Sequence, residues 1–126
     1  MTTDTHTRNK ALIAPMREAM RDFSDQGVRA ALETLIAPDA VVHMCHPFGD
    51  LTGPKELYDT CYAPLLHAMP DLERRDWIVM GGRTEHGGDW IGCGDHYYGT
   101  FVRPWLDIPP TGHLTHMRFH EFYRFE

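Results

Sequence analysis

The chain has 126 residues, 42% of them hydrophobic and 24% charged, enough for one domain with a real core and too few for two. A formal net charge of -6, with 12 scattered Lys and Arg, excludes an extended phosphate-binding surface, so nucleic acid is not an expected partner. No run approaches the ~20 apolar residues of a membrane span, and MTTDTHTRNK lacks the apolar stretch of a signal peptide. Three cysteines at irregular spacing, Cys45, Cys61 and Cys93, suit a reducing compartment, so the expectation is a cytoplasmic protein with no membrane partner.

In chain order, Leu12, Met16, Met20 and Phe23 recur at helical spacing and predict a helix from about Thr7 to Ser24, interrupted by Pro15. Asp25-Gln26-Gly27 reads as a turn, and Val28, Ala31, Leu32 and Leu35 predict a short helix to Ile36. AVVHMCH (40–46) is β-branched at its start and predicts a strand, followed by a loop over Pro47 to Gly53. Pro54 suits a first helical position, and Leu57, Cys61 and Leu65 share a stripe of the following helix, which Pro64 is expected to kink. Trp77 to Met80 reads as a strand and Gly81 to Gly88 as a turn.

The last third holds two long β-type runs, from Asp89 and up to Glu126, joined by a break containing Pro109-Pro110-Thr111-Gly112, which predicts a hairpin. In the second run Met117, Phe119, Glu121, Tyr123 and Phe125 alternate with His116, Arg118, His120, Phe122 and Arg124. The first set makes one face that is apolar except for Glu121, and this face is expected to point inward. Glu121 is then either an edge residue reaching water or a buried acid with a raised pKa. In the first run Trp90, Gly92, Gly94, His96 and Tyr98 share a face, with Ile91, Cys93, Asp95, Tyr97 and Phe101 opposite. The two glycines there allow strong curvature or leave space for a ligand. Helices first and an antiparallel sheet after them define an α+β domain.

Nine histidines invite a metal reading. On a strand, however, His113 points away from His116 and His120, and the latter two lie about 13 Å apart at ~3.3 Å per residue, so no metal is expected. His43 and His46 face opposite ways: one points into a site, or both bond backbone at a strand end. Gly92-Cys93-Gly94 lacks the third glycine and the helix of a dinucleotide fingerprint, and there is no nucleophile elbow or phosphate loop. What remains is an acid-base inventory of Glu121, His46, His96, Asp95 and the tyrosines Tyr97, Tyr98 and Tyr123, suited to proton transfer on an uncharged substrate.

The stretches VVHMCHPFGDLTGP, Gly99-Thr100-Phe101 and above all LDIPPTGHLTHMRFHEFYRFE resemble the SnoaL-like polyketide cyclase family of the nuclear-transport-factor-2-like superfamily. The resemblance runs from about Ile36 to the end. It implies a cone-shaped curved antiparallel sheet closed by N-terminal helices around a deep apolar pocket, and a homodimer formed through the outer sheet face. It also implies an acid-base carboxylate on the strand after the Pro-Pro-Thr-Gly turn, working without cofactor, and Glu121 takes that place. The family's usual final strand is absent, so residues 1–126 are read as a single domain lacking that strand or belonging to a tandem protein. The superfamily also contains an epoxide-hydrolase type of water activation, but no Asp-Arg-Asp constellation is evident in the linear sequence.

The resulting expectation is a cofactor-independent enzyme acting on a small apolar carbonyl or polyketide-like substrate. Glu121 relays a proton, His46 and His96 polarise an oxygen, and His43, Trp77, Trp90, Tyr98, Trp105, Phe119 and Tyr123 bind the substrate. The alternatives are a non-catalytic binding module, favoured if Glu121 is fully paired, and a dimerisation domain, favoured if the tryptophans fill the pocket.

Overall fold

The computed structural model describes residues 2–126, with side chains from Thr5 onward. Helix α1 (Thr2–Arg21) starts earlier than the periodicity indicated and buries Asn9, Ile13, Met16 and Met20. The stripe is rotated from expectation: Ile13 takes the inward position and Leu12 is exposed. Pro15 sits on the exposed side, where the Ala11 carbonyl it leaves without a donor faces water.

Helix α2 (Asp25–Leu35) begins where a turn was expected, because the Gly27 N–H donates to the Ser24 side chain at 3.2 Å and caps the helix. Val28 and Leu32 are its buried residues.

The next segment is a hairpin rather than a strand and a loop. Strand β1 (Val41–His43) pairs antiparallel with β2 (Asp50–Thr52). Gly49 at φ 69 turns the chain back, its carbonyl accepting from the Met44 N–H at 3.0 Å.

Helix α3 (Gly53–Leu57), a π-helical turn (Tyr58–Tyr62) and α4 (Ala63–Ala68) then follow as one continuous helical segment. Pro64 explains the wide turn. It has no N–H, and its ring crowds the carbonyl four residues earlier, so Ala63 donates to Tyr58 instead, five residues back. Leu57, Cys61 and Leu65 are buried as the stripe predicted, and the widened turn adds Tyr58 and Tyr62 to the core.

Strands β3 (Glu73–Arg83), β4 (Asp89–Thr100) and β5 (Leu114–Phe125) form an antiparallel sheet in the order β3-β4-β5. β3 starts at Glu73, upstream of the expected Trp77. Arg74 pairs with Tyr97 and Asp76 with Asp95; a register shift between Asp76 and Ile78 then places Val79 opposite Cys93. Cys93 in turn faces Glu121, and Asp95 faces Phe119. The inner face carries Arg74, Ile91, Cys93, Tyr97 and Phe119, all buried with α1 packed over the sheet. The odd-numbered face of β5 thus points inward, as expected.

On the outer face, Trp77 is 83% and Phe122 68% exposed. Gly92 and Gly94 lie there too, but their room is taken: a Cβ on either would come within 3.1 Å of the ring of Phe122 or His120. The link from β4 to β5 is a long loop, in which Trp105 and Ile108 exchange backbone hydrogen bonds at 3.1 and 2.8 Å.

Gly53 makes the β2–α3 junction possible. Its φ is +78, and a Cβ there would lie 2.6 Å from the Pro38 carbonyl oxygen. Gly53→Ala is expected to destabilise the fold by more than about 1 kcal/mol, read as a lower urea midpoint at unchanged slope; an unchanged midpoint would remove this constraint.

Candidate functional site

Alternation on β5 aims Glu121 at the inner face, where its neighbours are polar as well as apolar. Arg74 Nη1 reaches Glu121 Oε2 at 2.7 Å. Tyr123 donates to the same carboxylate at 2.5 Å and Tyr97 at 3.0 Å, with Tyr62 at 3.4 Å. Tyr62 comes from the π turn, Tyr97 from β4 and Tyr123 from β5, so three elements converge on one carboxylate. Its side chain remains 19% exposed.

Behind Glu121 the charges continue. Arg74 Nε donates to Asp76 at 2.6 Å, and Arg17 of α1 pairs with the other oxygen of Asp76. Arg74 also lies over the Phe119 ring, 4.4 Å from its centroid. Its side chain is fully buried and its Nη2 has no partner among the described residues.

Burial is the largest influence on Arg74 and works against its charge, but Glu121 together with Tyr97, Tyr123 and Tyr62 outweighs it and holds the guanidinium pKa up. Burial first, and then Glu121, push the phenols of Tyr62, Tyr97 and Tyr123 above their ordinary range, so they stand as neutral donors at neutral pH. Burial likewise raises the Cys93 thiol to about 11, which leaves it unreactive. The arrangement can accept a proton at one carboxylate, and a carboxylate so neutralised releases phenol O–H groups that can turn to a developing oxygen charge.

The structure brings Phe119 and Tyr123 to Glu121 and leaves the other expected residues elsewhere. His43 is exposed and pairs with Asp50 at 2.8 Å, and His46 is exposed in the turn of the β1–β2 hairpin, so neither histidine points inside. Strand alternation sends His96, Trp90 and Tyr98 to the outer face. There the ring of His96 packs on His116 at 5.3 Å and bonds Asp95, and Trp90 Nε1 reaches the Gly87 carbonyl. Trp77 points to solvent, and Trp105 is half-buried in the loop after β4. The O–H donors beside Glu121 are therefore those of tyrosines, with His46 and His96 lying away from it, and tryptophans do not wall the carboxylate. Two surface depressions, of about 350 and 270 Å³, are both bordered by Arg75 and Trp77, and Glu121 borders neither.

Arg74, Asp76, Arg17 and Tyr62 were missed. Their signal was present in part: Leu72, Arg74 and Asp76 alternate as an inner face once the strand is extended to Glu73. The grouping of Asp76, Arg74 and Glu121 is a carboxylate–guanidinium–carboxylate set, invisible in the linear sequence because β4 separates its strands.

Helices packed over an antiparallel sheet are the arrangement of the nuclear-transport-factor-2-like fold, and comparison with known proteins agrees. Residues 14–126 match the family model described as SnoaL-like polyketide cyclase, and the chain belongs to that family. No match was found among curated proteins. Among solved structures, IdmH of Streptomyces antibioticus, with a suggested polyketide cyclase role, superposes at TM-score 0.71 with 23% identity, covering 94% of this chain and 84% of that one. A SnoaL-like protein of Jannaschia sp. CCS1, also suggested to be a polyketide cyclase, gives 0.71 at 18% identity over 95% and 78%. AclR of Streptomyces galilaeus, for which hydroxylase activity is suggested, gives 0.69 at 19% over 95% and 71%. At these identities the likeness establishes the fold. No helix among the described residues is long and apolar enough to cross a membrane.

The buried phenols set an alkaline limit. In the unfolded chain they ionise near 10.0, whereas in the folded protein Tyr97 and Tyr123 hold their protons well above that. Their contribution to stability is complete below the unfolded value and is lost as pH rises from there toward the folded values. Urea unfolding between about pH 9 and pH 11 should show stability falling more steeply in wild type than in Tyr97→Phe; equal slopes would mean the phenol ionises freely in the folded state.

Proposed function

We propose that the chain is a cofactor-independent acid/base enzyme of the SnoaL-like cyclase type, acting on a small apolar carbonyl or polyketide-like substrate. The observation that carries this reading is a single carboxylate on the inner face of β5, ringed by three phenol donors and still partly open. Family membership supports it, as does the suggested cyclase role of IdmH.

In the proposed chemistry Glu121 removes a proton from the carbon next to a carbonyl. The electron pair of that C–H bond moves onto the carbonyl oxygen, and phenol O–H donors, released from Glu121 as it takes up the proton, turn to stabilise the enolate. The enolate carbon then bonds to a second carbonyl carbon of the same molecule, and the alkoxide so formed takes the proton back from Glu121. No electron is gained or lost overall. Phe119 and Tyr123 supply contact surface at the carboxylate.

A second reading, a binding module without chemistry, is favoured by the full set of partners on Glu121, since a carboxylate tied to Arg74 and three phenols can be structural. Exchange of the α protons of aryl methyl ketones in deuterium oxide, followed by proton NMR, separates the two. Wild type should accelerate exchange, and Glu121→Gln should slow it by about 10²–10⁴-fold with an unchanged circular dichroism spectrum. A Gln variant as active as wild type removes Glu121 from the mechanism; ketone binding without exchange selects the binding module.

We also propose that the chain forms a homodimer through the outer sheet face, where Trp77, Ile78, Met80 and Phe122 expose apolar surface. Sedimentation should give a dimer for wild type and a monomer for Phe122→Asp; a monomeric wild type would refute the proposal.

A further inference from the structure

Four charged side chains of alternating sign run from the surface of α1 to the inner face of the sheet: Arg17, Asp76, Arg74 and Glu121. Side-chain exposure drops from 25% at Arg17 to 3% at Asp76 and 0% at Arg74, then returns to 19% at Glu121. Those values decide the roles. Arg74 is sealed from solvent, so it acts on a ligand only through Glu121, which is the inner member of the chain that solvent reaches.

Each link constrains the next. Arg74 has two usable edges: Nε is held by Asp76 at 2.6 Å, which leaves Nη1 aimed at Glu121 at 2.7 Å. Without Asp76 the guanidinium loses its second anchor and the direction of its bond to Glu121 is no longer defined. Asp76 is itself a negative charge close to Glu121. Arg17 balances it, and without that balance Asp76 would compete for Arg74 and repel the Glu121 carboxylate.

We propose that Arg17 and Asp76 are positioning residues for Glu121, setting through Arg74 both the orientation of its carboxylate and how tightly it holds a proton. As a statement about catalysis this rests on the reading of Glu121 as the proton-transfer group. Arg17 lies outside the site, on a helix, and would tune the acid at two removes. The other titratable groups facing Glu121 are Tyr62, Tyr97, Tyr123 and Cys93, with Asp95 on the same inner row of β4. The phenols and the thiol stay protonated throughout the range in which carboxylates titrate, since burial holds all four up. Asp95 is engaged by His96 and is the same in every variant below.

The test is a pH titration of the Glu121 side-chain carboxyl carbon by NMR on protein labelled at glutamate carboxyls, with Glu121→Gln for assignment. In Arg17→Met the midpoint should move up relative to wild type, because Asp76 is left unbalanced. In Asp76→Asn, whose amide oxygen still accepts from Arg74 Nε and so keeps the anchor, it should move down, because only the neighbouring negative charge is gone. Each shift should be about half a pH unit, below the one to three units of a directly adjacent opposite charge.

Opposite signs are what a loosened structure does not produce. Arg17→Lys, which keeps the charge, should restore the wild-type midpoint. Shifts of the same sign, or an unmoved midpoint in Arg17→Met, overturn the proposal. If Asp76→Asn does not fold, Arg17→Met and Arg17→Lys decide alone, since Arg17 is partly exposed and tolerates replacement. The titration uses no substrate: opposite shifts in a protein that fails the ketone exchange assay uphold the charge chain and refute the enzyme reading, whereas exchange with unmoved midpoints does the reverse.

Discussion

A fully buried guanidinium is the constraint around which this domain is arranged. Removing a cation from water costs several kcal/mol even after relaxation, so Arg74 is compatible with a folded chain only where carboxylates meet it on the available edges. Asp76 meets it from its own strand and Glu121 from β5, across the intervening β4. Arg17 then ties α1 to the same cluster. A helix, the first strand and the last strand of the sheet are thereby held in one geometry that apolar packing alone would leave adjustable, because apolar contacts set distance better than direction.

The same cluster changes what kind of interior this is. The inner face of β5, taken alone, is a carboxylate among Phe, Tyr and Met. In three dimensions the carboxylate sits in a polar knot within an apolar shell, with Met16, Met20 and Phe119 packed around it. A knot of this kind is costly if incomplete and rigid when complete, which suits a group that must be presented to a ligand in one orientation.

Much of this was legible from alternation and spacing. Glu121 was singled out because it is the one carboxylate in the odd-numbered set of its strand, and that set does face inward. The helical stripe of Leu57, Cys61 and Leu65 is buried as read. What escaped has identifiable causes. Starting the strand at Trp77 left Arg74 and Asp76 outside any assigned element, whereas β3 begins at Glu73. Leu12 was preferred to Ile13 because hydrophobicity alone does not fix the rotation of a helix whose two candidate positions are adjacent. His96 and Tyr98 were drawn into the site by their chemistry, although their phase on β4 already placed them with Trp90 and opposite Tyr97. Tyr62 could not have been placed, because its direction depends on the π turn that Pro64 imposes.

The register shift between Asp76 and Ile78 has a consequence for how β3 can vary. Upstream of it, even-numbered residues face inward and carry charge; downstream, odd-numbered residues such as Val79 and Gly81 do so and carry packing. The strand is in effect two half-strands spliced out of phase, with Trp77 at the splice. Pairing that single residue in register with Gly94 would impose one phase throughout and turn Met80 toward α1 while sending Val79 to the outside. The splice thus insulates the electrostatic half from the packing half, so that either can change its side chains without forcing the other to change faces.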